Sequence, residues 1–378
     1  MPKDIKNLND LKFIPFLNKD DVKNNANEML SQEHQRKVEH CHSGGTLGKP
    51  LNFIRDSLSS AYVRAAELRG FGWHGITKGD KQARIWGLTL DPHKAKKERF
   101  NDFLLNRYRI SPFNITDKTV HVYYDKLNKF KAKYIYGYPS AIYKICQIIN
   151  KLNLHGRKLG IKYVVTTAET LYPHQRSLIE NVLRCRVINE YGCSEVGVIA
   201  FECPEGNLHI TMENVLVEFL HSEQSPDNNP EIILTNLNSF SMPFLRYKIG
   251  DTGKLSNHFC PCGRQSLLMN FDAGRVLDLL MTCDGSFVSG TVFCYICFDI
   301  IDKYKGIDDF RVVQKAKNKI EICLSKDENF NENILSMLSQ KIKGLMGNEM
   351  EISYKIVDKI APERSGKRRF VYSEIPID

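Results

Sequence analysis

Four stretches of this sequence combine small residues, carboxylates and lysines in patterns suited to a nucleotide. The first is Ser43-Gly44-Gly45-Thr46-Leu47-Gly48-Lys49-Pro50. Small residues let backbone N–H groups approach phosphate oxygens, and Lys49 adds a positive charge. It is not a Walker loop, because Ser43 and Pro50 stand where that motif needs Gly and Ser/Thr. The second, Asn189-Glu190-Tyr191-Gly192-Cys193-Ser194-Glu195, directly follows a strand-like run. Glu195 can hold Mg²⁺ on phosphates, since Mg²⁺ prefers one or two carboxylates plus phosphate oxygens, and Tyr191 can stack on a purine. The third, Arg246-Tyr247-Lys248-Ile249-Gly250-Asp251, puts an aspartate after a glycine turn, where it can accept hydrogen bonds from two ribose hydroxyls. The fourth, Ser365-Gly366-Lys367-Arg368-Arg369, carries a lysine that can bridge a carboxylate and an α-phosphate as charge develops. Each has a plainer reading: a surface turn, a capped glycine turn, a hairpin aspartate, a solvated basic tail.

A second chemistry is suggested by sulfur. Cys203 and His209 lie across a glycine-containing turn, and Cys260 and Cys262 form a Cys-x-Cys pair further on. Zn²⁺ takes four such ligands tetrahedrally in closed structural sites. The alternative is four independent reduced side chains. Cys294-x-x-Cys297, in the apolar run Val292–Ile301, reads as a buried helix face.

The elements that must position these loops alternate. Lys133–Tyr136 reads as a strand. A helix then runs from Pro139 to about Leu152, with Ser140 as its N-cap and Ile142, Ile145 and Ile149 on one face. Tyr163–Thr167 is a strand, Pro173–Leu183 a helix and Arg186–Glu190 a strand. That order predicts a parallel sheet with packed helices, and ligands at its strand-end loops. From Leu208 to Leu255 the pattern is β. After Gly274 a hairpin (Phe310–Gln314, Ile320–Leu324), a helix (Glu332–Leu345) and a last strand (Glu351–Val357) predict a compact α+β unit. Trp73 and Trp86 are assigned to core packing ahead of a pocket border.

The chain has 378 residues, enough for one large domain and a small one, and its net charge is +9. The basic residues are scattered without a long run interleaved with aromatics, so no nucleic-acid partner is expected and the charge suits anionic substrates. There is no membrane-length apolar run and no opening signal peptide. With eleven cysteines at irregular spacing, this predicts a cytoplasmic, reducing setting.

The order of the motifs is more telling than any one of them. Phosphate loop, Thr166-Thr167-Ala168-Glu169, Tyr-Gly-x-Ser-Glu, Arg-Tyr-x-x-Gly-Asp, Gly-Arg-x-x-Asp and a terminal Gly-Lys together resemble the adenylate-forming superfamily. Glu202-Cys203-Pro204, Leu208-His209-Ile210 and Cys260-Pro261-Cys262-Gly263-Arg264 are similar to its phenylacetate–CoA ligase-like branch, which includes capsule polysaccharide members. The resemblance covers roughly residues 10 to 374. It implies an α/β fold: a large domain over 1–273 with mixed, largely parallel sheets, and a small mobile α+β lid over 274–378.

The resemblance also implies roles. Ser43, Gly44, Gly45, Thr46, Gly48 and Lys49 would grip the ATP phosphates. Ala168 and Glu169 would lie against the adenine and Tyr191 would stack on it. Ser194 and Glu195 would serve phosphates and Mg²⁺. Asp251 would bind the ribose, Arg275 would sit near ribose and phosphate, and Asp278 would be the hinge. Lys367 would be the catalytic lysine of the first half-reaction. Tyr136 and Tyr138 would line the acyl pocket, and Cys193 would have no nucleophilic role. Relatives holding zinc with a similar set favour Cys203, His209, Cys260 and Cys262 as a structural Zn²⁺ site.

The implied activity is ATP-dependent conversion of a small-molecule carboxylic acid to an acyl-adenylate, then transfer to CoA, a carrier-protein thiol, or a hydroxyl or amine of a sugar precursor, with a surface-polysaccharide role expected from the capsule members. The alternative is a non-catalytic nucleotide- or acyl-binding relative acting as an assembly partner. A homodimer is left open. Leu47, Asn189 and Leu277 depart from the usual Thr/Ser, Asp and Asp. The N-terminus is also short beside typical relatives, which leaves a truncated start, a separate partner chain and a compact variant as readings.

Overall fold

The computed structural model describes the chain except residues 1–5, 34–36, 43–50, 87–91, 113–114, 222–229, 271–278, 286, parts of 291–305, 362–368 and 376–378. The phosphate-loop residues Ser43–Lys49, together with Arg275, Asp278, Cys294 and Lys367, therefore lie outside the described residues.

A short helix α1 (Lys19–Asn24) precedes a hairpin, β1 (Val38–His42) and β2 (Asn52–Asp56), registered from Val38↔Asp56 to His42↔Asn52. Asp56 then caps α2 (Ser57–Gly72), accepting from Ser59 N–H, and its other oxygen accepts from Ser241 N–H. Burial opposes ionisation, yet these N–H groups hold the carboxyl below the usual range. Strand and helix are thereby locked to the loop at 241.

A nine-stranded sheet forms the main layer, in the order β13-β14-β9-β8-β7-β6-β5-β3-β4. Its parallel half comprises β3 (Gln82–Ile85), β4 (Arg107–Ile110), β5 (Tyr134–Gly137), β6 (Tyr163–Thr166) and the start of β7 (Arg186–Cys193). The helices between them are α3 (Pro92–Leu104), α4 (Asp117–Phe130), α5 (Pro139–Lys151) and α6 (Pro173–Leu183). Ala83, Ile135, Val164 and Val187 face the core that includes Ile142, Ile145, Ile149 and Ile179, from α5 and α6. Tyr134, Tyr136, Val165 and Ile188 face the opposite way, toward Ala66 and Phe71 of α2. A period of two along each strand produces this division. Gly137 is needed for close approach: a Cβ there would lie 2.5 Å from the Ile85 carbonyl oxygen.

The antiparallel half follows with β8 (Gly197–Glu202), β9 (Leu208–Ile210), β13 (Lys254–Ser256) and β14 (Leu268–Asn270). A separate three-stranded sheet holds β10 (Val215–Leu220), β11 (Glu231–Asn236) and β12 (Tyr247–Thr252). After a two-stranded ladder, β15 (Leu279–Met281) with β16 (Phe287–Ser289), a second core begins. There β17 (Ile307–Ala316) and β18 (Lys319–Lys326) form the antiparallel hairpin, while β19 (Glu351–Ile356) and β20 (Val371–Ser373) add in parallel at its two edges. Helix α7 (Asn333–Met346) covers the sheet through Ile334, Leu338, Ile342 and Met346, at i, i+4 spacing. Cys297 is buried in this core with Phe293 and Ile300, in line with a buried-face reading. Among the described residues no helix is long and apolar enough to cross a membrane.

One local expectation is corrected. Ser140 is not the N-cap of α5: Tyr138 occupies that position with an extended backbone, Pro139 opens the helix, and Ser140 is its second residue. The Ser140 N–H is satisfied instead by Glu169 Oε2 at 3.1 Å, from the loop after β6. A carboxylate at a helix N-terminus meets both the unpaired N–H and the positive end of the dipole.

Candidate functional site

The C-terminal edge of the parallel strands gathers the motif residues. Thr167 N–H donates to the Gly137 carbonyl at 3.1 Å, tying the loop after β6 to the end of β5. In that loop Ala168 adopts a left-handed φ of 68°, uncommon for a residue with a side chain. Glu169 follows it and caps α5, so its carboxylate is turned toward that helix start.

Strand β7 continues past the parallel ladder into an antiparallel pairing with β8, with a bulge between Tyr191 and Gly192. The turn between these strands carries Ser194 and Glu195. Gly197 closes it at φ 87°, and a Cβ there would lie 2.5 Å from a Val63 methyl on α2, so the turn is pressed against that helix. The Arg55 guanidinium of β2 donates to the Ser194 carbonyl. The strand that follows the phosphate-loop stretch is thus joined to the Tyr-Gly-x-Ser-Glu turn.

Two tyrosines brace the two carboxylates expected to hold the nucleotide. Tyr191 Oη donates to Asp251 Oδ2 at 2.9 Å, from β7 to β12. In the return direction Tyr247 Oη, on β12, donates to Glu195 Oε1 at 3.2 Å. Burial first, and the Glu195 charge second, push the Tyr247 hydroxyl well above its usual pKa, so it stays a donor. Glu195 is buried, and its carbonyl accepts from Asn236 Nδ2 at 3.4 Å. A buried carboxylate anchored by one hydroxyl suits a single-carboxylate Mg²⁺ site completed by phosphate oxygens. Cys193 lies between them with its thiol raised far above normal by burial, a protonated and poor nucleophile.

Tyr136 and Tyr138 are both buried, at the end of β5. Trp86 joins them, its ring 4.5 Å from Tyr138 and 6.0 Å from Tyr136, so this tryptophan borders the cluster. Arg84 lies over both the Trp86 and Tyr136 rings. Tyr136 Oη donates to Glu190 Oε1 at 2.8 Å. Glu190 and Arg84 carry no assignment in the motif reading. The available signal was a charged residue inside each of two strands that are otherwise buried.

The second core touches the first near the same edge. Phe370, three residues beyond Lys367, meets Tyr172 edge-on at 6.5 Å, and Tyr172 lies in the second core although it opens α6. Lys144 of α5 pairs with Asp308 of β17 at 2.5 Å.

Cys203, His209, Cys260 and Cys262 come together, with every ligand atom within 4.8 Å of the others. Cys203 and Cys260 sulfurs are 3.6 Å apart, and Cys262 Sγ is 3.2 Å from His209 Nε2. Two thiolates about 2.3 Å from a tetrahedral Zn²⁺ would be about 3.8 Å apart, so the donor set fits that ion. His209 Nδ1 is held by Ser266 Oγ at 2.9 Å, which orients Nε2 inward. Burial keeps that imidazole neutral, as a ligand must be. Burial raises Cys203 to about 11; it opposes ionisation of Cys262 too, but hydrogen bonds from Arg264 bring that thiol down to about 7. Trp73 packs on His209 at 5.7 Å and under Arg264, so it covers this cluster.

Residues 280–374 match the CapK C-terminal domain family. The chain is 28% identical to protein CapK of Staphylococcus aureus, over 98% of this chain and 81% of that protein. It is 25% identical to a phenylacetate-coenzyme A ligase of Thermus thermophilus, over 74% of this chain and 64% of that enzyme. Its relatives in sequence are thus CapK and phenylacetate–CoA ligases. Among solved structures it superposes on 2-hydroxyisobutyryl-CoA ligase in the postadenylation state with a TM-score of 0.73 at 15% identity, covering 99% of this chain and 83% of that one. The open conformation of the same ligase gives 0.59 at 16% identity, over 98% and 84%. At such identities the likeness speaks for the fold, which is that of adenylate-forming CoA ligases.

Proposed function

We propose that this chain uses ATP to convert a carboxylic acid into an acyl-adenylate and passes the acyl group to a thiol such as CoA. One observation carries the reading: Tyr191, Glu195 and Asp251 meet at the C-terminal edge of the parallel strands, with both carboxylates braced by tyrosine hydroxyls. Ligands of open α/β sheets bind at that edge. Kinship with phenylacetate–CoA ligases supports the same reaction class.

In this scheme Ser43–Lys49 cradles the phosphates, and Glu195 would hold a Mg²⁺ that would supply positive charge beside them. Tyr191 stacks on the adenine beside Ala168 and Glu169, and Asp251 and Arg275 bind the ribose side. A carboxylate oxygen of the acid forms a bond to the α-phosphorus as the bond to pyrophosphate breaks. Lys367 stabilises the charge growing on that phosphorus. The small domain, 274–378, then turns about Asp278, withdraws Lys367 and admits the thiol. Zn²⁺ on Cys203, His209, Cys260 and Cys262 ties β8 and β9 to the loop before β14 and is structural. Similarity to CapK supports a place in surface polysaccharide synthesis.

ATP–pyrophosphate exchange with a panel of carboxylic acids tests the reading. Acid-dependent exchange, lost in Glu195→Ala, is expected. ATP binding without exchange for any acid would assign the chain to nucleotide binding without catalysis.

A further inference from the structure

The face of the sheet toward α2 carries two polar groups that the protein itself leaves partly unused. Glu190 follows Ile188 by two residues on β7 and so shares its inward face, where the neighbours are Val165, Phe71 and Phe201. It is 5% exposed. Oε1 accepts from Tyr136, but Oε2 is buried with no hydrogen-bond partner among the described residues. Burial raises this carboxyl to about 7, the nearby Glu67 charge adds to the rise, and the Tyr136 hydrogen bond and the Arg84 charge oppose it.

Arg84 is the cross-strand neighbour of Tyr136 through β3 and β5. Its guanidinium lies 5.2 Å from the centroids of both Trp86 and Tyr136, and its Nε is likewise buried without a partner. Tyr136 therefore stands between a carboxyl oxygen that lacks a donor and an N–H that lacks an acceptor. Buried polar atoms are nearly always paired, and an exception needs a reason. Neither group belongs to the nucleotide set: Tyr191, the next residue after Glu190, points to the opposite face and reaches Asp251.

We propose that Glu190 and Arg84 form the polar end of the acyl pocket, and that the acid activated by this chain carries a hydroxyl group on its acyl part. A hydroxyl offers both a donor for Glu190 Oε2 and an acceptor for Arg84 Nε–H. A hydroxyl serves Glu190 whether that carboxyl is ionised or protonated, whereas an ammonium would leave Arg84 without an acceptor and a carbonyl oxygen would serve only the protonated carboxyl. The Trp86, Tyr136 and Tyr138 rings supply an apolar wall around that one polar contact, the usual make-up of a small-molecule pocket.

This inference rests on the adenylation reading above, and the test separates the two. ATP–pyrophosphate exchange is measured with matched acids, each unsubstituted, hydroxylated or aminated at the same carbon, for wild type, Glu190→Gln, Glu190→Leu and Arg84→Met. Wild type is expected to favour a hydroxylated acid over its unsubstituted partner by about 100-fold or more in kcat/KM. Glu190→Leu should reverse that preference, and Arg84→Met should reduce it. Glu190→Gln keeps the acceptor for Tyr136 and serves if the leucine variant does not fold; it should lose at least tenfold of the selectivity. Exchange with equal or better rates for unsubstituted acids overturns this inference and leaves adenylation standing. A preference for the aminated partner overturns the hydroxyl assignment. Absence of exchange with every acid overturns both.

Discussion

Tyr191 and Asp251, 60 residues apart in the chain, share a hydrogen bond of 2.9 Å between β7 and β12. Its counterpart runs the other way, from Tyr247 on β12 to Glu195 beside β7. The two bonds run in opposite directions between the β7 segment and β12, and they fix the two acids relative to one another. Such preorganisation lowers the cost of ordering the site on binding.

Loss of the Tyr191 hydroxyl should therefore be felt at the nucleotide. Tyr191→Phe keeps the ring but releases Asp251, and ATP affinity should fall roughly fivefold to tenfold. Asp251→Asn should cost more, roughly a hundredfold, because it also removes the charged acceptor expected for the ribose. Calorimetric titration with ATP checks both. Unchanged affinity in the pair would remove Asp251 from the nucleotide site.

Lys367→Ala should abolish acyl-adenylate formation, by about 100-fold or more, while ATP affinity stays within a few-fold of wild type. The readout is pyrophosphate release with an acid that supports exchange. Wild-type release by the variant would exclude this lysine from the first half-reaction.

Protein purified without added zinc should contain about one Zn²⁺ per chain. Cys260→Ser should bring that content close to zero and lower Tm by roughly 5–10 °C, since a metal that binds only the folded chain contributes to its stability. Elemental analysis with thermal melts decides the matter: a zinc-free native protein that melts at the same temperature as the variant would leave four ordinary side chains.

Glu190 should leave a signature in stability against pH. Its folded value is about 7, whereas an unperturbed glutamate titrates near about 4.3. Between those values the folded chain holds a proton that the unfolded chain has released. Unfolding free energy therefore falls as pH rises through that window. The contribution of the protonated group is complete below the unfolded value and lost once the folded value is passed. Glu190→Gln cannot ionise, so relative to wild type it should gain up to about 3 kcal/mol between pH 4 and pH 8. Urea unfolding of both proteins across that range gives the comparison; curves that stay parallel would show that Glu190 ionises as freely as a surface glutamate.

Local pattern carried much of the architecture. Pro173–Leu183 is bounded in the fold as the residue pattern predicts, and the stretch from Leu208 to Leu255 is β throughout its regular elements, because periodicity and proline positions act over a few residues. The Cys/His set and the order of the nucleotide motifs were legible for a similar reason: their chemistry lies in residue type and spacing. Partnerships across the sheets were not legible. Whether Glu169 or Ser140 satisfies the start of α5, which tyrosine braces which carboxylate, and that Glu190 is sealed against Tyr136 54 residues away all depend on strand order and register. Those are settled by how two faces of a sheet bury their apolar rows, and no short window of residues contains that information.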